Sequence, residues 1–229
     1  MFCAASELVI FHLLERTNDS WCWEDNFGLP LHTANRVRAM VTDYLDRKFI
    51  YADVGIAFAY FNHPVSMSVA DLLASLLQQL VRRKGILSPE LRHVYQTHTE
   101  SGTRPMIDTL SVLLQTESKD LPAVYIVLDA LDEFTGTEHD KYCLLREIGK
   151  LGSVLRLLIT SRPSPDIHRT VQNTFPDSTI MEIRANEGDI EKYVRQRLAE
   201  KEQFGSVSAD QLESLQRMIV ARAQGMALL

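Results

Sequence analysis

The amino-acid sequence predicts an α/β fold, in which a parallel sheet is flanked by helices in three layers. Short, almost uniformly apolar segments alternate with longer segments whose apolar residues recur at helical spacing. Strands buried on both faces show the first pattern and amphipathic helices show the second, and their regular alternation is typical of βαβ units. After about residue 185 the strand-like segments stop and two helical patterns follow. We therefore expect a sheet domain followed by a small C-terminal helical extension.

Four segments have the length and the apolar content of buried strands. They are residues 54–61, 123–128, 154–160 and 179–183. A further apolar run, residues 8–14, contains His12 and is flanked by acidic residues, with no basic segment before it. It therefore lacks the pattern of a secretion signal, and we interpret it as a strand or as one face of a helix.

Six segments show helical periodicity. They are residues 37–49, 69–81, 89–98, 106–116, 142–151 and 167–171. Ser68 and Asp71 are spaced as a capping box at the start of the second segment, and Gly85 ends it. Cys143 lies in the fifth segment, so we interpret it as a core thiol and not as a nucleophile.

The composition is that of an acidic protein with an ordinary core. The 229 residues carry a formal net charge of -6, and 45% of them are hydrophobic. Binding to a phosphate backbone needs clustered basic residues, so we expect no nucleic-acid partner. No apolar run reaches the roughly 18 residues of a membrane span, and three separated cysteines do not make a disulfide framework. We expect a cytoplasmic protein with no membrane partner.

Three carboxylates follow the second predicted strand. Asp129 ends the strand, and Asp132 and Glu133 come soon after it. Open α/β sheets bind ligands at the carboxyl ends of their strands, and Mg²⁺ prefers carboxylate oxygen and water. The alternative is a solvated acidic loop. We favour Asp129 as a ligand of Mg²⁺.

This segment, residues 124–133, resembles the Walker B motif of STAND-class NTPases of the NACHT type, in particular fungal proteins with a nephrocystin-3-like N-terminal domain. Further segments are similar to that family in order and spacing. They are residues 53–57, 60–62, 71–80, 160–163, 182–185 and 225–226. The resemblance implies P-loop NTPase-like layering and Mg-ATP or Mg-ADP as the cofactor. It also implies that Asp132 and Glu133 polarise the attacking water and that Arg162 is a sensor of the γ-phosphate.

The phosphate loop of that family, G-x-P-G-x-G-K-[ST], is degenerate here. The corresponding residues 28–35 keep Gly28 and Pro30, but Ala34 stands in place of the lysine and Asn35 in place of the hydroxyl. The lysine and the loop glycines supply the main contacts to the phosphates. We therefore expect little or no ATP hydrolysis. The cofactor is Mg-ATP or Mg-ADP if the chain binds one, and the alternative is that it binds none.

Two explanations of this loop remain open: a genuine pseudo-NTPase, or a gene model that replaced the true loop and truncated the chain. We divide the chain into an atypical lead-in, residues 1–27, an NTPase-like domain, residues 28–185, and the start of a helical extension, residues 186–229. Unless the lead-in supplies the strand that precedes the phosphate loop, an inner edge of the sheet stays exposed.

The resemblance implies a regulatory or interaction module in signalling. Its expected partners are proteins, or further copies of itself, bound through downstream repeats of the ankyrin kind. Two alternatives remain: a nucleotide-independent scaffold or oligomerisation module, and an ATP- or GTP-binding switch whose true phosphate loop is missing from the gene model.

Overall fold

A computed structural model describes residues 7–13, 44–45, 47–49, 53–61 and 67–183, together with residues 195, 214–215 and 217–218. The chain divides into two compact units. One comprises Leu8–Arg16 and Tyr44–Met181, and the other Met1–Glu7, Thr17–Asp43 and Glu182–Leu229. Most of the described residues belong to the first unit, which contains the strands and helices that position the candidate site.

The described strands form one five-stranded sheet with the order β2-β3-β4-β1-β5. In chain order they are β1 (Glu7–Leu13), β2 (Gly55–Tyr60), β3 (Val124–Asp129), β4 (Leu155–Ser161) and β5 (Thr179–Ile183). Strands β2, β3 and β4 are parallel to one another. The four predicted strands are confirmed with each boundary within one residue, and so is an α/β fold built on a parallel three-stranded sheet.

Five helices accompany these strands in the described part of the chain. They are α1 (Val69–Lys84), α2 (Pro89–Ser101), α3 (Ile107–Ser118), α4 (Glu138–Gly149) and α5 (Pro165–Thr174). No helix among the described residues is long and apolar enough to cross a membrane. The predicted helix over residues 37–49 is described only in part, and the predicted C-terminal extension lies almost wholly outside the described residues.

Capping boxes fix where two of these helices begin. The Ser68 hydroxyl accepts a hydrogen bond from the Asp71 backbone N–H and the Asp71 carboxylate accepts one from the Ser68 N–H, as predicted. Thr137 and Asp140 make the same reciprocal contacts at the start of α4. This second box fixes the start of α4 at Glu138. The sequence analysis did not recognise it, and the predicted start at residue 142 is therefore four residues too late.

The core lies between the sheet and α1, α3 and α4. Its members are buried aliphatic side chains, chiefly from one face of α1 and from the alternate positions of β3 and β4. Helix α1 comes so close to β2 that a Cβ atom at Gly55 would lie 2.8 Å from Leu80 Cδ2. Any side chain at Gly55 would therefore force Leu80, and with it Leu121 and Val124, to shift.

Strand β1 runs in the direction opposite to its neighbour. Leu8 pairs with Ser161 and Leu13 with Arg156, so β1 is antiparallel to β4 and the expectation of a wholly parallel sheet is wrong. Sheets that mix parallel and antiparallel strands are common, and the long connection from β1 to β2 permits either direction. Strand β1 fills the position between β4 and β5. Strand β1 ends, however, beside the amino ends of the parallel strands, whereas Asp129 lies at their carboxyl ends.

Candidate functional site

The candidate site lies where β3 and β4 end, side by side, at the carboxyl edge of the parallel strands. Thr160, near the end of β4, donates a hydrogen bond from Oγ1 to Asp129 Oδ1 over 2.6 Å. The same hydroxyl oxygen accepts a hydrogen bond from the Ala130 backbone N–H over 3.0 Å. Because Thr160 is almost completely buried, these contacts hold the Asp129 carboxylate in one orientation.

A left-handed residue turns the chain directly after Asp129. Ala130 has φ 57° and ψ 49°, and among the described residues it is the one non-glycine residue with positive φ. This conformation costs a residue with a side chain about 1–2 kcal/mol. A short 3₁₀ turn, Leu131–Glu133, follows, closed by a 2.8 Å bond from the Glu133 N–H to the Ala130 carbonyl. Leu131 is fully buried, and it anchors the turn to the core.

Arg162 joins the two carboxylates of this turn. Its backbone N–H donates to Asp132 Oδ1 over 3.0 Å, and its Nη2 donates to Glu133 Oε1 over 3.3 Å. Its Nε lies 3.5 Å from Asp132 Oδ2. The Arg162 side chain is 59% exposed, against 19% for Asp132 and 25% for Glu133. The three side chains thus form an ion-pair group that is open to solvent on the arginine side.

We call Asp129, Asp132, Glu133, Thr160 and Arg162 the carboxyl-edge cluster. The structure brings together the four of these residues that the sequence singled out, Asp129, Asp132, Glu133 and Arg162, while Gly28, Pro30 and Asn35 lie outside the described residues. Thr160 was missed as a site residue. A hydroxyl residue near the end of a strand that neighbours an Asp-terminated strand is the signal that could have identified it.

The cluster fits one half of a magnesium–nucleotide site. Mg²⁺ in such sites takes one or two carboxylates, with the remaining positions filled by water and phosphate, and the fixed carboxylate of Asp129 suits that role. No group of three or more His, Cys, Asp or Glu residues in the described ranges is placed to hold a metal on its own. A nucleotide would have to supply the remaining ligands.

The other half, the phosphate cradle, does not fit. Ala34 offers no charge, and Leu31 and Thr33 replace glycines that would bring bare backbone to the phosphates. Strand β1 leaves the sheet at Leu13, beside Arg156 and away from Asp129. We therefore derive no step of phosphoryl transfer from these residues.

A second group of charges lies on α4. The Glu147 side chain is fully buried and accepts hydrogen bonds from Arg146 over 2.8 and 3.0 Å and from Lys150. Burial by itself raises the pKa of Glu147, but hydrogen bonds from Lys150, Ser111 and Arg146 outweigh it and lower the pKa to about 2. We call these four residues the Glu147 cluster. Ser111 belongs to α3, so its hydrogen bond to Glu147 ties α4 to α3. Because the Glu147 carboxylate is also sealed from solvent, the cluster has a structural role.

A groove of about 390 Å³ lies near the Glu147 cluster, between the C-terminal ends of α3 and α4. Its lining includes Ser118, Lys119 and Lys150, and also Val154, which precedes β4. The groove therefore opens at the amino edge of the parallel strands, the edge opposite to Asp129, and it does not form part of the carboxyl-edge cluster.

A family model described as "Nephrocystin 3, N-terminal" matches residues 37–162, more than half of the chain. The matched range begins after the degenerate phosphate loop and contains the whole carboxyl-edge cluster, with Arg162 as its last residue. No curated protein and no solved structure matches the chain.

Proposed function

The chain belongs to the nephrocystin 3 N-terminal family, and on that premise we propose that it is a degenerate nucleotide-binding signalling domain of the NACHT and STAND type. It works as a regulatory or interaction module with little or no ATP hydrolysis. The proposal includes P-loop NTPase-like layering of the sheet and helices, a cytoplasmic location, and protein partners or self-association through downstream repeats.

The observation that carries this proposal is the pairing of Arg162 with Asp132 and Glu133. A carboxylate that polarises an attacking water must be free to accept its proton. Glu133 instead accepts a hydrogen bond from the Arg162 guanidinium, which competes with water for its oxygen. Arg162 therefore occupies both carboxylates of the turn unless another partner displaces it. No lysine in the loop sequence is available to draw a phosphate into the edge and displace Arg162.

A nucleotide-gated form of the module is supported by a different contact. The 2.6 Å hydrogen bond from Thr160 orients the Asp129 carboxylate. A carboxylate that is held in one orientation at the end of a strand is suited to bind a magnesium ion. When bound, Mg-ATP or Mg-ADP would bring phosphate charge next to Arg162. Arg162 could then exchange its carboxylate partners for a bidentate contact to phosphate.

Calorimetric titration of the whole chain with Mg-ATP and with Mg-ADP tests the proposal. Asp129→Ala removes the candidate metal ligand, and Asp177→Ala, which removes an exposed loop carboxylate, is the matched control. Binding that Asp129→Ala abolishes and Asp177→Ala preserves would assign a nucleotide-gated module. No binding by a folded chain would assign a nucleotide-independent scaffold.

Hydrolysis is the outcome that would overturn the proposal in either form. If the wild-type chain converted ATP to ADP over many turnovers, and Asp129→Ala abolished the reaction, neither the pairing of Arg162 with Asp132 and Glu133 nor the degenerate loop would prevent hydrolysis. The chain would then be an ordinary ATPase.

A further inference from the structure

A histidine and a cysteine face each other on the exposed side of α4. His139 and Cys143 are four residues apart, and their Nε2 and Sγ atoms lie 3.4 Å from each other. His139 is exposed, and Cys143 is partly exposed and free of any disulfide. The expectation of a core thiol is therefore wrong: the buried side of α4 is formed by Leu144, Leu145 and Ile148, and Cys143 lies outside that side.

The separation of these two atoms suits a shared metal ion. In tetrahedral sites Zn²⁺ lies about 2.3 Å from a cysteine sulfur and about 2.0–2.1 Å from a histidine nitrogen. Two such ligands at a tetrahedral angle are therefore about 3.5 Å apart. The observed 3.4 Å means that both side chains are already placed for a common ion. Four-residue spacing on a helix is also how paired histidines chelate zinc.

We propose that His139 and Cys143 form a two-ligand site for a divalent cation of the Zn²⁺ class on the surface of α4. Thiolate and imidazole select such borderline-soft ions over Mg²⁺ or Ca²⁺. No third His, Cys, Asp or Glu of the described residues joins them, so water fills the remaining positions. The site is separate from the carboxyl-edge cluster and does not depend on nucleotide binding.

Cobalt(II) is a direct probe of this site, because a cobalt–thiolate bond gives a charge-transfer absorption band. The experiment uses the whole chain with Cys3 and Cys22 replaced by serine, so that Cys143 is the one thiol. Titration with Co²⁺ is expected to give that band with one ion per chain, and Zn²⁺ is expected to displace it. Cys143→Ser should remove the band, and His139→Gln should weaken Co²⁺ binding at least tenfold.

His93→Gln is the matched control, because His93 is an exposed helical histidine with Thr97, and not a cysteine, four residues later. Its Co²⁺ affinity should equal that of the parent chain. The His93, His139 and Cys143 variants replace side chains that are exposed or partly exposed, and urea unfolding confirms that each variant is folded. Absence of the band in the parent chain, or equal affinity in His139→Gln and the parent, would overturn the proposal and leave a thiol–imidazole hydrogen bond.

Discussion

The carboxyl-edge cluster and the Glu147 cluster both pair acidic side chains with arginine or lysine, but they differ in how deeply the carboxylates are buried. The Glu147 side chain is 0% exposed, whereas Asp132 and Glu133 keep about a fifth to a quarter of theirs in solvent. Breaking a buried pair costs several kcal/mol, while an exposed pair contributes about 0–1 kcal/mol. The Glu147 cluster is therefore fixed once the protein folds, whereas the carboxyl-edge cluster can exchange Arg162 for another partner at little cost.

Replacing Glu147 is expected to have the largest effect. Glu147→Ala removes a buried carboxylate with three hydrogen-bonding partners, and we expect it to lower the free energy of unfolding by about 3 kcal/mol. The loss is limited because Arg146 and Lys150 remain half-exposed and regain water. Urea unfolding measures it. Glu100→Ala, which removes an exposed carboxylate from α2, is the control and should change stability by less than about 0.5 kcal/mol.

Acid should weaken the fold through the same residue. The pKa of Glu147 falls from 4.5 to about 2 on folding, so its contribution is fully present above about pH 4.5 and is lost as the pH falls toward 2. After allowance for the solvent around its partners, we expect this loss to be on the order of 2 kcal/mol. In Glu147→Gln the stability curve should be flatter between those pH values. Equal slopes in the two proteins would contradict the assignment.

Thr160 tests how firmly the edge holds Asp129. Thr160→Val keeps the shape of the side chain but removes the hydroxyl, which leaves Asp129 Oδ1 and the Ala130 N–H without their present partner. We expect a loss of about 1.5 kcal/mol in unfolding free energy. Thr160→Ser keeps the hydroxyl and should recover most of the loss. If Val and Ser variants were equally stable, the hydroxyl would have no part in holding the edge.

Arg162 should show the smallest effect on stability. Because its side chain is 59% exposed, Arg162→Gln should cost less than about 1 kcal/mol, and the cost should shrink further in high salt. Urea unfolding at low and high salt measures both quantities, with Arg169→Gln, another exposed arginine, as the control. A salt-independent loss above about 2 kcal/mol would mean that this pair behaves like a buried one.

The sequence was informative where apolar content and periodicity decide the structure. The strands that end in Asp129 and Ser161 were predicted because a buried parallel strand needs a short, uniformly apolar segment. The same pattern predicts that Asp129, Asp132 and Glu133 lie at the carboxyl ends of the strands, where open α/β sheets bind ligands. Arg162 was singled out by the family resemblance, and the structure places it beside Asp132 and Glu133.

Other features depend on contacts that the sequence does not encode locally. The direction of β1 depends on which neighbour it pairs with, and an apolar strand of this kind suits either direction. Cys143 lies beside the apolar side of α4 that Leu144, Leu145 and Ile148 form, and helical periodicity alone does not tell a residue at the border of that side from one within it. Ala130 in a left-handed turn could not be predicted, because alanine carries no preference for that conformation.

ATP turnover by the purified chain tests the central claim most directly. The measurement is phosphate release from Mg-ATP by the wild-type chain, by Asp129→Asn and by the control Asp177→Asn. Arg162 pairs with Asp132 and Glu133, and the phosphate loop is degenerate. We therefore expect the wild type to release phosphate no faster than Asp129→Asn. Release by the wild type and by Asp177→Asn, with none by Asp129→Asn, would contradict the account.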